Sequence, residues 1–343
     1  FMLYCFRGHS ETGYHDAHLP LVMSIIVACI VGFICGHSFQ EMLAGMVERL
    51  AASMEAVLIL ATVGFLVTSF MLSGAIPTMI VYGLDLLTPK LFLPVGCILC
   101  AIVGMACGSS WTTTATIGLA FLGIGAGLGI PAPITAGMII SGAYVGDKFS
   151  PLSDTTNLAA AVAETGLFDH VTAMVSTTGP TLLLSLILYT ILGLNVDTSA
   201  YDATVAEGIQ EAFRGAFTIS PILLLPIIVV IVMCILRVPG LVGIAVSVAT
   251  AVVFMLIFQS TDIFYSYSLG DIFDVLHYGH AVETGNAVAD SILGKAKGMD
   301  GMMWTINLIL VALAYGGALE RCGCIEKLFG GLKHKIHSVG SLI

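Results

Sequence analysis

Long apolar runs separated by short polar turns recur along the chain, and most have the length a bilayer demands. Leu19 to Cys35 is a run of about 17 residues, roughly 25 Å as a helix at ~1.5 Å per residue, enough to span. Phe39 to Ser53 carries Glu41, Glu48 and Arg49 along one side and predicts an amphipathic helix on the membrane surface. Met54 to Ile80 predicts the next span, ending near Gly74 and Pro77, and Gly83 to Lys90 a short polar turn. Val171 to Leu194 spans again, and Asn195 to Arg214 reads as the longest polar loop of the middle. Ile219 to Leu236 and Leu241 to Phe258 form an antiparallel pair around Arg237-Val238-Pro239-Gly240. Gln259 to Asp300 is polar and aromatic, then partly amphipathic, and Met302 to Leu319 is the last clear span.

Two stretches break this pattern. Between Leu91 and Ile130, Gly108-Ser109-Ser110-Trp111-Thr112-Thr113-Thr114 sets five hydroxyls into apolar sequence. A re-entrant or broken hairpin accounts for them, or else a polar seam in which Ser and Thr bond back onto their own helix. Gly123, Gly125, Gly127 and Gly129 follow at alternate positions, compatible with close helix packing or with a loose connection. The second break is Ser141 to Asn157, SGAYVGDKFSPLSDTTN, bounded by apolar Ile134 to Val145 and Leu158 to Val162. Gly146 and Pro151 are placed to interrupt a helix there, among Asp147, Lys148, Ser150, Ser153, Asp154, Thr155, Thr156 and Asn157. Non-helical backbone at membrane depth is tolerated only where protein or a water-filled cavity solvates it, and ionisable groups there mark an ion or substrate path. The stretch predicts the broken helix of a secondary transporter.

Composition agrees. Of 343 residues, 57% are hydrophobic and only 10% are charged, with a mean hydropathy of +1.01. A soluble globule could not cover its surface with so few polar groups, so the fold class is an all-α polytopic membrane protein. The net charge of −10, with twelve Lys and Arg scattered thinly, leaves no basic face for nucleic acid. Nine cysteines occur. Cys29, Cys35, Cys97, Cys100, Cys107 and Cys234 sit in or at the ends of apolar runs and read as small buried hydrophobes; Cys322-x-Cys324, at a helix end, is equally unspecific. His9, His15 and His18 read as a solvated loop rather than a metal site. By alternation of spans Arg49, Arg237, Arg321, Lys327, Lys333 and Lys335 share one face, which the positive-inside rule tips to the cytoplasm.

Two segments share a plan: an amphipathic stretch, one apolar span, then an exit containing glycine. They are Glu41 to Pro77 and Ala287 to Ile325, and pairing Gly74 with Gly323 aligns them without gaps. Chance similarity of apolar helices is the alternative. Crossing in opposite directions, they suggest an inverted-topology repeat with its site near mid-membrane. Residues 1–90 are then scaffold helices of the first repeat, 91–163 the hairpin and broken helix of a transport domain, and 164–343 linking helices and the first part of the second repeat. Only a Gly/Lys/His-rich tail follows Leu319, so the second repeat is expected to be truncated and the visible site to be half a site; both chain ends are expected to be cut.

The run SGAYVGDKFSPLSDTTNLA, with CGSSWTT upstream and MMWTINLILVALAYGGALER near the end, resembles the NhaC family of sodium/proton antiporters. The resemblance covers nearly the whole chain. It implies an inverted-repeat ion-transporter fold with a re-entrant hairpin and a discontinuous helix, moving by an elevator-type mechanism in a bacterial-type cytoplasmic (inner) membrane. The family also includes exchangers of organic acids such as malate and lactate.

Sodium is a hard cation that prefers carboxylate, hydroxyl, amide and carbonyl oxygen. Asp154 and Asp147 are the expected metal ligands for Na+, with Ser150, Ser153, Thr155, Thr156 and Asn157 beside them and Ser109, Ser110 and Thr113 from the hairpin. For Asp154 the alternative is an N-cap of the next helix, and for Asp147 a structural pair with Lys148. A carboxylate in a low-dielectric cavity can hold either a proton or a metal ion, and mutually exclusive occupancy couples the two fluxes. Na+ and H+ are therefore the expected cargo and the lipid bilayer the expected solvent, with no resident cofactor and no nucleic acid; a homodimer is left open. Half-helix N-termini would favour an anionic cargo group, and Lys148 is the basic residue on offer to an organic acid. Glu320 is a candidate proton relay or a partner of Arg321. An enzyme is not expected: Gly108-Ser109-Ser110-Trp111 lacks a Gly-x-Ser-x-Gly frame, and Asp147 and Asp154 share one segment rather than facing helices.

Overall fold

Apolar backbone in a bilayer satisfies its hydrogen bonds within its own segment, so long apolar runs become helices. The computed structural model describes residues 18–107, 110–150, 153, 155–156, 159–160, 165–195, 203–236, 238–259 and 269–327, and among these every regular element is helical. By length and composition three helices can cross a membrane, Leu167–Leu194, Leu241–Phe258 and Asp300–Arg321, and up to five spans result if each bent pair counts as one. Leu183 and Leu184 are 61% and 67% exposed, which suits a lipid-facing surface and no aqueous one. The chain divides into two compact units.

The first unit comprises residues 18–61 and 302–327. Helix α1 (His18–Ile34) ends at Gly36, whose φ of 94° only glycine adopts readily. Helix α2 (Phe39–Ala52) begins with a capping box, Ser38 accepting from the Glu41 N–H and Glu41 accepting from the Ser38 N–H. Helix α3 (Met54–Leu72) starts here, and α15 (Asp300–Arg321) supplies most of its length to the unit. Val57, Leu60 and Ile306 form one buried cluster with Ala61, Met302, Ile309 and Leu310 against it. Helices α2 and α15 meet closely: Gly45 and Gly317 each lie on the other's carbonyl, and Glu48-Arg49 pairs crosswise with Glu320-Arg321. Glu320 is thus taken by Arg49, at 2.6 Å, rather than by its neighbour Arg321.

The second unit comprises residues 62–301. Helix α3 ends at Leu72 rather than running on to Ile80; Ser73 and Gly74 (φ 81°) form a turn, and α4 (Ala75–Leu86) starts afresh with Pro77 in its first turn. The buried backbone of that break is met by Gln259, itself buried, which donates to the Ser73 carbonyl at 2.8 Å and accepts from the Thr218 N–H at 3.0 Å. Helix α5 (Pro89–Cys107) precedes the hydroxyl-rich segment, whose described residues are helical: α6 (Ser110–Thr113), a π-turn (Thr114–Gly118) and α7 (Leu119–Gly127). The alternating glycines serve close packing, Gly123 on Ile80, Gly125 on Thr135 and Gly127 on Leu84, while Gly129 (φ 70°) makes the turn into α8 (Ala132–Phe149).

Helix α9 is Leu167–Leu194. Much of the expected polar loop 195–214 is helix α10 (Ala203–Ala216), because Ala206, Ile209, Phe213 and the following Phe217 recur every three or four residues and bury one face. A 90° bend then leads through Pro221–Leu224 to α11 (Leu225–Ile235), paired with α12 (Gly240–Phe258). Short helices α13 (Leu269–Tyr278) and α14 (Ala287–Leu293) occupy the polar stretch before α15.

Candidate functional site

Helix α8 reaches the site by lying almost against the backbone of α5. Gly142 sits on the Cys97 carbonyl and Gly146 on the Ala101 carbonyl, and Gly104 of α5 returns the contact on the Ala143 carbonyl. Gly142 and Gly146 are four apart, so both fall on one helix face, the small-residue spacing that lets membrane helices approach closely. Gly146 therefore does not interrupt the helix, as the sequence suggested; it holds α8 to α5 through its last turn. Helix α9 packs on both, with Tyr189 Oη 2.8 Å from Ser141 Oγ.

The helix stops at Phe149, just before Ser150-Pro151, where Ser150 turns to extended backbone (φ −82°, ψ 124°). Proline clashes with a helical predecessor and brings no N–H, which fixes the stop. Asp147 (5% exposed), Ser150 and Ser153 are buried at this end, together with Thr156. The described part of the following chain returns under the helix terminus: the Ser153 N–H donates to the Ser150 carbonyl, and the Thr156 hydroxyl lies 3.4 Å from the carbonyl oxygens of both Asp147 and Lys148. Ser153 Oγ accepts from the Thr156 N–H at 3.3 Å, the bond an N-cap makes. Lys148 Nζ donates to Thr155 Oγ1 at 2.9 Å, and Thr155 Oγ1 lies 3.0 Å from Ser153 Oγ. Five expected site residues, Asp147, Ser150, Ser153, Thr155 and Thr156, are thus gathered at one helix end, together with Lys148. Asp154, Asn157 and Ser109 lie outside the described residues.

Ser110 and Thr113 are buried on the segment that packs against both α5 and α8. Part of its hydroxyl content is spent internally: Thr114 donates to the Ser110 carbonyl at 2.8 Å and Thr116 to the Thr112 carbonyl at 2.7 Å. The π-turn over Thr114–Gly118 widens the helix where those back-bonds occur, a distortion that recurs at functional sites. Thr116 and Tyr189 were not anticipated. Thr116 continues the hydroxyl run and was legible; Tyr189 lies 48 residues from Ser141 in an apolar span that carries no local sign of the contact.

The end of α8 that enters the site is its C-terminus, which carries about half a negative charge in unsatisfied carbonyls. Asp147 adds a carboxylate within the same turn, and the neighbouring Ser and Thr side chains add hydroxyl oxygen. This donor set suits a hard cation or a proton. Lys148, in the last turn, offsets part of the dipole.

Comparison with known proteins bears on this arrangement. The model of the Na+/H+ antiporter family matches residues 142–343. The Na(+)/H(+) antiporter NhaC of Alkalihalophilus pseudofirmus is 34% identical over 328 residues, 96% of this chain and 69% of the relative. The arginine/ornithine antiporter ArcD of Halobacterium salinarum is 34% identical over 328 residues, 95% of this chain and 66% of the relative. The malate-2H(+)/Na(+)-lactate antiporter of Bacillus subtilis is 32% identical over 324 residues, 94% of this chain and 68% of the relative. The chain thus spans about two thirds of the length of these relatives. No solved structure matches it. With its helix-terminal Asp147 cluster inside the matched region and NhaC itself among relatives aligned over nearly its whole length, the chain is an integral membrane protein of the NhaC family of Na+/H+ antiporters.

Proposed function

We propose that this protein exchanges Na+ for H+ across the cytoplasmic membrane, the two ions competing for buried carboxylates at the C-terminal end of α8. The observation that carries this reading is the electrostatic sense of the helix end: carbonyls of Asp147 and Lys148, the Asp147 carboxyl and buried Ser150, Ser153 and Thr156 converge there. A negative helix pole attracts a cation, whereas a site built for an anion would present N–H groups. Asp154 is the second carboxylate in the proposal, with Asn157, Ser109, Ser110 and Thr113 as further oxygen donors. Na+ and H+ are cargo, so a proton arriving on the carboxyl releases the ion and the reverse.

The inverted repeat belongs to the same reading, with elevator-like alternating access taken from the family resemblance. Two features support the repeat. Pairing Gly74 with Gly323 makes Leu72 equivalent to Arg321, and these are the last residues of α3 and α15; both helices are followed by a two-residue turn with glycine at positive φ (81° and 66°) and then by renewed helix. The same pairing makes Val57 equivalent to Ile306, Leu60 to Ile309 and Ala61 to Leu310, and all six meet in one apolar cluster. Equivalent residues gather in this way where two helices cross on a pseudo-two-fold axis.

A second reading, ion-coupled exchange of an organic acid, is favoured by Lys148, whose ammonium lies at the site against Thr155. Reconstituted vesicles separate the two. Collapse of an imposed pH gradient is expected on adding Na+ or Li+ alone; collapse with malate or lactate, and none with the cations alone, would overturn the cation reading.

A further inference from the structure

Four cysteines that the transport reading does not use come together in the first unit. Cys322, in the turn after α15, is buried, and its sulfur lies over the backbone of Gly32 in α1: a Cβ built on Gly32 would stand 2.5 Å from Cys322 Sγ. The thiol reaches on to the Ala28 carbonyl at 3.8 Å. Glycine at position 32 leaves the groove that admits this sulfur. Cys29 and Cys35 are three residues before and three after Gly32, so they flank the sulfur on one helix face, where such neighbours have Cβ atoms about 5–6 Å apart. Cys35 still belongs to that helical turn, its N–H donating to the Val31 carbonyl at 2.9 Å. Cys324 follows Cys322 by two residues. Burial pushes the Cys322 thiol up, and the nearby Cys324, Cys29 and Cys35 push it further in the same direction.

Accessibility differs among the four. Cys35 is exposed, beside Gly36 and His37 where the chain leaves the apolar run, whereas Cys29 and Cys324 are half-buried and Cys322 is buried. No three His, Cys, Asp or Glu side chains among the described residues are disposed to hold a metal ion, so pairwise thiol chemistry fits better than metal binding.

We propose that Cys35 and Cys322 form a peroxide-responsive thiol pair. In the first step the exposed Cys35 thiolate attacks hydrogen peroxide, the O–O bond breaks, Cys35 becomes a sulfenic acid and one water leaves after proton uptake. In the second, Cys322 attacks the Cys35 sulfur, an S–S bond forms and a second water leaves, carrying the Cys322 proton. Two thiols and one peroxide thus give one disulfide and two waters, and dithiol reductants reverse the change. The bond would tie the end of α1 to the turn that follows α15, close to the crossed Arg49–Glu320 and Arg321–Glu48 pairs.

The test is peroxide titration of the protein in lipid vesicles, followed by maleimide counting after denaturation and by peptide mass mapping. Two fewer of the nine thiols should react after peroxide treatment, with a Cys35–Cys322 peptide recovered and full reactivity restored by reductant. In C322A a sulfenic-acid probe should label Cys35, and in the unsubstituted protein it should not; C97A should behave as the unsubstituted protein does. Absence of the Cys35–Cys322 peptide at saturating peroxide, or equal probe labelling of Cys35 with and without Cys322, would overturn the proposal.

Discussion

The Thr156 hydroxyl lies 3.4 Å from the carbonyl oxygen of Asp147 and the same distance from that of Lys148. A single hydroxyl proton serves one acceptor well, and both distances exceed the 2.5–3.0 Å of a good O–H···O bond. The Asp147 carbonyl also accepts from the Ser150 N–H at 3.2 Å, so the Thr156 hydroxyl is one of two donors that close this helix end. Thr156 closes the helix end and, in the proposed site, would add an oxygen for the ion.

Thr156→Val keeps the shape of the side chain and removes that oxygen. Sodium-driven collapse of a pH gradient in vesicles should need several-fold more Na+, while Thr156→Ser stays near the unsubstituted value. Loss of about 1 kcal/mol of stability accompanies the missing hydroxyl. Equal Na+ dependence in the Val and Ser variants would remove Thr156 from the site.

Asp147→Asn preserves size and one acceptor oxygen but removes the titratable charge. Exchange should fall to background, with size-exclusion behaviour in detergent unchanged. Asp154→Asn is expected to do the same, since the proposed competition uses both carboxylates. Wild-type exchange in either variant would refute that residue's assignment.

The gathering of Asp147, Ser150, Ser153, Thr155 and Thr156 at one helix end was legible because polar and ionisable residues inside membrane-grade apolar sequence are costly wherever they are not used. The stop before Pro151 was legible for the same local reason. What escaped was set by distant packing. Gly146 reads as a breaker in isolation, and only the Ala101 carbonyl beneath it makes it a contact residue. The break at Ser73-Gly74 falls inside an apolar run whose composition supports an unbroken span; Gln259, 186 residues away, satisfies the carbonyl that the break exposes. In α10 the acidic Glu207 and Glu211 suggested a loop, whereas Ile209 and Phe213, both wholly buried, decide for an amphipathic helix.

Gly146→Val places a branched side chain where a Cβ already meets the Ala101 carbonyl and the Met105 nitrogen. Helices α5 and α8 must separate, at a cost of about 1–3 kcal/mol or more for overpacking. Thermal unfolding in detergent should shift down by several degrees and exchange should fall with it. Gly137→Val, where a Cβ would meet nothing nearer than Tyr189 Oη at 3.6 Å, is the control and should change either readout little.

Gln259→Leu fills similar volume but leaves the Ser73 carbonyl and the Thr218 N–H without the partner they have now. Each unsatisfied buried group costs about 1–3 kcal/mol. A large drop in thermal stability is expected, with faster amide exchange at Gly74 and Thr218 than at α12. Unchanged protection at both would show that the break holds itself.

Asp290 provides the pH-dependent contribution outside the spans. Its Oδ1 accepts from the Thr284 hydroxyl and from the Thr284 N–H, each at 2.7 Å. Those bonds favour the ionised form and lower the carboxyl below its ordinary value of 3.8, the side-chain bond being the larger cause. Because the folded state holds the proton less tightly than the unfolded one, the stabilisation is complete above the unfolded value and is lost as pH falls through the folded value. Melting temperature measured downward from about pH 5 to pH 3 should therefore fall less steeply in Asp290→Asn, which has no carboxylate to protonate, once both are normalised to pH 7. Thr284→Val should lie between the two, since it removes the hydroxyl bond and keeps the backbone one. Parallel acid profiles for all three proteins would show that this turn contributes nothing to the pH dependence of folding.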